Sequence, residues 1–209
     1  ELGGDIYNFF TLRDRTFIYI GDVTGHGVAA GLIMTMVNSL IAVFADLHDS
    51  PYEILVNVNR YIKRHVKKAM FMTLVMLCWD NKTQKMSYVG CGHEHILVYR
   101  AATGVCEAIV AGGVALGMVP DNSKVIKELP LDLAVGDLVV LYSDGLTEAR
   151  NDATGELFGL ERLKELVVEY APEDEPEGVH YKIATRVSEY CAGHDQGDDM
   201  TLIVMKIKN

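Results

Sequence analysis

The sequence predicts an α+β fold in which antiparallel sheets carry pairs of helices, and three observations predict it. Apolar residues alternate with a period of two in short runs near the start and again from residue 70 onward. Two long segments of helical period separate those blocks, and two more follow. The turns between successive strands are only a few residues long, whereas a parallel return needs a crossover of about a dozen.

The elements follow in order. Tyr7–Leu12 and Thr16–Ile20 are rich in aromatic and β-branched residues, which suit a pleated surface, and the polar turn Arg13-Asp14-Arg15 separates them. A helical pattern then runs over residues 26–45. The stretch from Val23 to Ala45 carries no formal charge. It holds His26, Thr35, Asn38, Ser39 and three glycines, and Asp22 abuts it, so it reads as a buried helix rather than a membrane span. A second helix is expected over 51–68, opened by Ser50 as N-cap and Pro51 at N1. Ile54, Leu55, Val58 and Ile62 share one face of it, with Lys63, Arg64, Lys67 and Lys68 opposite and at the end.

From Met70 the period is two: Met70–Trp79, Lys85–Cys91, Ile96–Arg100 and Val105–Val110 are expected strands. Asn81-Lys82-Thr83 and Thr103-Gly104 are their turns, and Gly112-Gly113 and Pro120-Asp121 mark loops. Val125–Leu129 and Asp137–Tyr142 are read as further strands, Leu160–Glu169 and Glu177–Cys191 as helices joined by an acidic linker, and Met200–Ile207 as the last strand. The length of 209 residues suits one domain over 1–209.

Composition narrows the function. With 49% apolar and 23% charged residues the chain can bury a core, which excludes disorder as its main state. Asp and Glu number 29 against 19 Lys and Arg, a formal charge of −10, and such a surface repels nucleic-acid phosphates. Phosphate binding through a metal stays open. Cys78, Cys91, Cys106 and Cys191 form no C-x-x-C pair and are expected as reduced thiols. No signal-peptide pattern opens the chain, so a cytoplasmic location is expected.

Four aspartates share a local design, each at a strand end beside glycine or a small turn. They are Asp5 in Gly3-Gly4-Asp5, Asp22 in Gly21-Asp22-Val23-Thr24-Gly25-His26-Gly27, Asp144 in Ser143-Asp144-Gly145, and Asp198 in Gly197-Asp198-Asp199. If the four converge, their charges require cations between them, and all-oxygen ligation selects Mg²⁺ or Mn²⁺. The plainer alternative is that Asp and Gly are ordinary turn residues.

Other chemistries fit less well. Phe17–Ile20 followed by Gly25-x-Gly27-x-x-x-Gly31 imitates a dinucleotide-binding turn, with Asp46 near the ribose-binding distance. Asp22 would then lie beside a pyrophosphate, Ala42–Asp46 would have to be a strand, and the rest of the chain supplies antiparallel strands instead of βαβ units. Gly3-Gly4-Asp5 also opens a cyclic-dinucleotide synthase signature, but Ile6-Tyr7 follows where acid and aromatic are needed. No cysteine has arginine six positions on; Gln84, Leu97, Gly112 and Gly197 stand there. Neither G-x-S-x-G nor H-E-x-x-H occurs. His26, His93 and His95 lie in glycine turns and are read as structural.

Taken in order, the motifs resemble a known family. They are Gly3-Gly4-Asp5, Gly21-Asp22-Val23-Thr24-Gly25-His26-Gly27, Phe71-Met72-Thr73-Leu74, Gly90-Cys91-Gly92-His93, Leu116-Gly117, Gly136-Asp137, Leu141 to Ala149, Phe158-Gly159 and Asp198-Asp199-Met200-Thr201. This series resembles the bacterial PPM-type (type 2C-like) serine/threonine phosphatases, more narrowly their stage II sporulation protein E and RsbU-type sigma-regulator branch. The resemblance spans essentially the whole chain and implies a four-layer α-β-β-α sandwich of two antiparallel sheets flanked by helix pairs. The family places a second acid where this chain has Asn8, so a secondary metal or water contact is expected to be weakened there, and proline where it has Glu94. It also begins with a strand and helix ahead of the first motif, so a trimmed N-terminus is expected.

The resemblance implies metal-dependent hydrolysis of phosphoserine or phosphothreonine on a protein, by water acting without a protein nucleophile. Asp5, Asp22, Asp144 and Asp198, with the Val23 carbonyl, are implied ligands of two Mn²⁺ or Mg²⁺ ions, Asp5 or Asp22 bridging. Asp198 rather than Asp199 aligns with the family's acid. The implied partner is a phosphorylated STAS-type anti-sigma-factor antagonist. The alternative is a catalytically weak or inactive binding module on the same fold. Val28, Ile33, Met34, Met36, Val37, Leu40, Ile41 and Phe44 go nearly round the first helix, so helices 26–45 and 51–68 are expected to meet an upstream sensor domain or second subunit, through Met34 or Met36.

Overall fold

The structure, a computed structural model, describes residues 3–66, 70–191 and 198–208. Lys67, Lys68 and Gly197, named above, lie outside the described residues. In chain order the elements are β1 (Asp5–Leu12), β2 (Arg15–Val23), α1 (Val28–Leu47), α2 (Pro51–His65), β3 (Met72–Asp80), β4 (Lys85–Cys91) and β5 (His95–Arg100). There follow β6 (Val105–Val110), β7 (Glu128–Leu131), β8 (Leu138–Tyr142), α3 (Asp144–Thr147), α4 (Gly159–Tyr170), α5 (Pro176–Cys191) and β9 (Leu202–Lys206). The chain divides into two compact units, one of residues 1–93 and 111–132, the other of residues 94–110 and 133–209.

The first unit is a five-stranded sheet of order β1-β2-β3-β4-β7, antiparallel at every step. One face is covered by α1 and α2. Ile6, Phe17, Tyr19, Val23, Met72, Leu74 and Met76 project from it into a buried cluster with Ile33, Val37 and Ile41 of α1 and Ile54, Leu55, Val58 and Ile62 of α2. The β1–β2 turn carries Arg13 with a left-handed φ of 54°, and its guanidinium binds Asp49 and the Asp46 carbonyl at the end of α1. Gly25 (φ 86°) and Gly27 (φ 83°) hold left-handed backbone, so α1 starts at Val28 and not at His26.

Only one side of α1 is buried: Ala30, Gly31, Ile33, Val37, Ile41 and Ala45. Val28, Leu32, Val43 and Leu47 are exposed, while Met34 and Met36 pack partly against the core. By length and composition α1 could cross a membrane; here one face lies on the sheet. The buried-helix expectation therefore holds for one face, and the outward apolar residues include Leu32 and Val43 but not the methionines.

Two local expectations are corrected, and one argument against a dinucleotide turn holds. Ser50 occupies the N-cap position of α2, but its hydroxyl donates to Glu128 at 2.6 Å instead of capping the helix. Val125 and Ile126 are not in a strand; both amides donate to the Asn122 carbonyl in a turn, which carries Ile126 into the core, and pairing begins at Glu128. Ala42–Asp46 lies within the uninterrupted α1, which removes the second strand that a dinucleotide turn requires.

The second unit is a four-stranded antiparallel sheet of order β6-β5-β8-β9. Leu97, Tyr99, Leu138, Val140 and Tyr142 bury one face of it with Leu163 and Val167 of α4 and Val179, Ile183 and Val187 of α5. Although only three residues separate β4 from β5, they belong to different sheets, so the expected run of successive antiparallel strands is interrupted there. Buried Asp137 closes the β5–β8 end by pairing with Arg100 at 3.1 Å and accepting the Ala101 and Ala134 amides.

Candidate metal-binding and catalytic residues

In the first unit, Asp5 pairs directly with Asp22, and Asp22 with Thr73. Side chains alternate along a strand, and Ile6, Tyr19 and Leu74 point to the helices, so Asp5, Asp22 and Thr73 form a row on the opposite face. The row lies at the start of β1, the end of β2 and the start of β3.

Gly4 makes this end of the sheet possible. A Cβ added there would lie 2.8 Å from the Val23 carbonyl oxygen, 3.0 Å from Asp22 Oδ1 and 3.2 Å from the Gly25 carbonyl oxygen. Two of the oxygens expected to bind metal thus border one small space left by the missing side chain. The Val23 amide donates to the Gly4 carbonyl (3.2 Å), and Thr24 exchanges hydrogen bonds with the backbone of Phe71, so the connection leaving β2 is held on both sides. His93 Nδ1 is 3.0 Å from Thr73 Oγ1.

Asn8 is not beside these acids. It stands three residues on from Asp5, hence on the helix-covered face, where its amide donates to Asn38 Oδ1 of α1 (3.1 Å) and to the Tyr19 hydroxyl (3.3 Å). The expectation is of a weakened metal or water contact at this position; strand parity turns the position away from Asp5 and Asp22 altogether.

In the second unit, Asp144 follows β8 as the first residue of α3, a one-turn helix that the sequence reading missed; Ser143 ahead of it was the available signal. Gly145 lets the chain at 198–199 lie close, since a Cβ there would collide with the Asp199 carbonyl and stand 3.3 Å from the Asp198 Cβ. The Thr201 amide donates to Ser143 Oγ (2.9 Å) and the Ser143 amide to the Thr201 carbonyl (3.0 Å). Burial, and after it the charge of Asp198, push the Asp144 carboxyl above its ordinary pKa. Glu94 is raised too, by burial and then by Asp144. Asp198 Oδ1 accepts the Asp199 amide at 2.8 Å.

The four aspartates therefore stand as two pairs, one in each unit. Among the described residues, no three His, Cys, Asp or Glu side chains form a group that could hold a metal. The three buried thiols are poor nucleophiles: burial raises Cys78, pushes Cys91 up to about 12 and Cys106 to about 11. Thr73 lay in a quoted motif but was given no role, and His93 was read as structural. The β2–β3 register puts Thr73 next to Asp22, and the turn after β4 puts His93 against Thr73.

Comparison with known proteins agrees with these observations. The sequence model of the family described as stage II sporulation protein E (SpoIIE) matches residues 13–208. The chain is 29% identical to the phosphoserine phosphatase RsbU of Bacillus subtilis, over 100% of this chain and 60% of that protein, so it spans less than two thirds of that relative. The SiaA PP2C domain of Pseudomonas aeruginosa superposes with a TM-score of 0.86 at 21% identity, covering 99% of this chain and 82% of the other. RsbX in complex with magnesium superposes with a TM-score of 0.70 at 14% identity, over 98% of this chain and 87% of that one. At such identities the likeness speaks for the fold, and it is the α+β fold expected: two antiparallel sheets with helix pairs, of the PP2C type.

Proposed function

The chain belongs to the stage II sporulation protein E (SpoIIE) family, and on that premise we propose that it is a metal-dependent phosphatase acting on phosphoserine or phosphothreonine in a protein. The observation that carries this reading is the space at Gly4, bordered by Asp22 Oδ1 and the Val23 carbonyl oxygen. An all-oxygen donor set with carboxylates suits a hard dication. Asp5, Asp22 and the Val23 carbonyl in one unit, and Asp144 and Asp198 in the other, are the proposed ligands of two Mn²⁺ or Mg²⁺ ions, with residues 1–209 serving as one catalytic domain. The magnesium in the RsbX structure supports that choice of cation.

When bound, such cations acidify a water and neutralise charge on the phosphoryl group. The chain's own part is to hold the acids. The β1–β2 ladder fixes Asp5 against Asp22, and α3 presents Asp144 beside Asp198. Asp144 is raised first by burial and then by the charge of Asp198, and a cation would relieve that repulsion, which is in keeping with a ligand role.

The phosphoserine phosphatase RsbU supports a phosphoprotein substrate, and a STAS-type anti-sigma-factor antagonist in the cytoplasm is the partner we propose. The exposed apolar side of α1, with Leu32 and Val43, together with α2, is the proposed contact for an upstream sensor domain or second subunit. Asn8 lends no support to the alternative of an inactive binding module, since it lies on the helix-covered face bonded to Asn38. Hydrolysis of p-nitrophenyl phosphate with and without Mn²⁺ tests the proposal: turnover that requires the metal is expected, and no turnover under either condition favours the binding module.

A further inference from the structure

The two edges of the first unit's sheet differ. On one side the outer strand is β7, four residues long, with Glu128 and Pro130 to discourage further pairing. On the other side it is β1, eight residues long, with neither lysine nor proline and with Asp5 as its single charged residue. Among the described strands β2 is its only neighbour. The Val23 amide donates to the Gly4 carbonyl, so the hydrogen-bonded pairs continue at Ile6–Gly21, Asn8–Tyr19 and Phe10–Phe17. Tyr7, Phe9 and Thr11 therefore turn their backbone groups to the outer edge. The Phe9 amide agrees, since it donates to Asn8 Oδ1 at 2.8 Å and not to β2.

The side chains of these residues stand in one row with Asp5, on the face opposite the helices. Across the ladder Tyr7 pairs with Ile20 and Phe9 with Ile18, a combination of aromatic and β-branched residues that sheets favour. Much of each ring stays open, for Tyr7 is 64% and Phe9 73% exposed. Two residues of strand span about 7 Å, so Tyr7 stands ~7 Å and Phe9 ~14 Å along the strand from Asp5. An edge with no strand on it and an exposed aromatic strip thus lead away from one of the proposed metal ligands.

We propose that β1 is the docking strand for the substrate: an extended phosphoserine segment pairs with its outer edge, the phosphoserine at Asp5 and apolar residues two and four positions away beside Tyr7 and Phe9. This rests on the reading that Asp5 helps hold the cation that draws the phosphoryl group. In such strand addition the backbone pairing supplies affinity and the alternate side chains supply selectivity. Continuity with Asp5 favours the substrate over a second copy of the chain as the occupant.

The test uses the whole chain with Mn²⁺ and three phosphoserine peptides, with leucine two and four residues before the phosphoserine, two and four residues after it, or at neither place. Wild type is compared with Tyr7→Ser, Phe9→Ser and the double variant. One leucine peptide is expected to exceed the leucine-free peptide about tenfold in kcat/KM, through KM. The double variant should lose that preference and still bind Mn²⁺ within about twofold of wild type in calorimetric titration, which also reports folding. With the non-hydrolysable phosphonate form of the preferred peptide, amide hydrogen exchange in residues 5–12 should slow, as an added strand requires. Wild type that turns over all three peptides within about threefold of one another overturns this inference alone. So does a preference that survives in the double variant, or exchange in residues 5–12 that the phosphonate leaves unchanged. Self-association in sedimentation that the double variant abolishes, with no peptide preference, overturns it in favour of a second copy. Wild type without Mn²⁺-dependent turnover of any peptide overturns the metal reading and this inference with it.

Discussion

Asn8 Nδ2 lies 3.1 Å from Asn38 Oδ1, so the residue standing in place of the family's second acid is fastened to α1 and turned away from the aspartates. The Tyr19 hydroxyl joins them, donating to Asn38 Oδ1 at 2.6 Å. This is a polar contact within an apolar helix–sheet interface, and burial raises the Tyr19 pKa, so the phenol stays protonated and able to donate. Asn8→Ala is expected to lower Tm by about 2–4 °C, the equivalent of about 1 kcal/mol for one hydrogen-bonding side chain in a chain of this size. Mn²⁺ affinity should not change. Thermal melts and calorimetry decide, and a large loss of affinity would restore position 8 to the metal site.

Gly4→Ala tests the space beside Asp22. Its Cβ would press on the Val23 carbonyl oxygen at 2.8 Å, and backbone cannot move aside cheaply. A displacement of about an ångström at a ligand can cost about 10²-fold in turnover, so strongly reduced Mn²⁺ affinity and hydrolysis are expected in a folded protein. Unaltered affinity would show that this oxygen is not a ligand.

Asp144→Asn should separate stability from function. The Asp144 carboxyl pKa is raised in the folded chain, so between its unfolded and folded values the folded state holds a proton that the unfolded state has released. Stability therefore falls as pH rises through that window and stays lower above it. In chelator at pH 7 the asparagine variant should melt above wild type by about 1–3 °C, a modest rise because solvent screens a half-exposed group. The difference should shrink as pH falls toward about 4. With Mn²⁺ the order should reverse. A variant that melts lower in chelator would mean the carboxylate is stabilising in its own right.

Leu32 is 63% and Val43 56% exposed on the outer side of α1, which begins five residues after Val23. Leu32→Glu and Val43→Glu leave the buried face intact and should alter self-association in sedimentation and the Mn²⁺ dependence of hydrolysis together. If neither quantity moves in either variant, α1 is scaffold only.

Much of this fold was legible in the sequence because local chemistry and tertiary pairing agree. Lys85–Cys91 and Val105–Val110 are strands to the residue, bounded by turns that permit nothing longer. Val125 and Ile126 misled because β-branched residues favour strands, whereas here their amides serve a turn and Ile126 joins the buried core. Within the site, Asp5, Asp22, Asp144 and Asp198 stood out through their glycine neighbours. The Thr73–His93 contact did not, since it depends on the β3–β4 register and a turn at Gly92 that no spacing along the chain encodes. Asn8 was misjudged for the same reason: three residues along a strand changes the face.

The most direct test of the metal-dependent phosphatase reading is phosphate release from a phosphoserine peptide by the whole chain, in Mn²⁺ and in excess chelator, beside Asp22→Asn. Release that appears only with Mn²⁺ and falls by about 10²-fold or more in the variant is the predicted result. Release that persists undiminished in chelator, or that Asp22→Asn leaves unchanged, would contradict it.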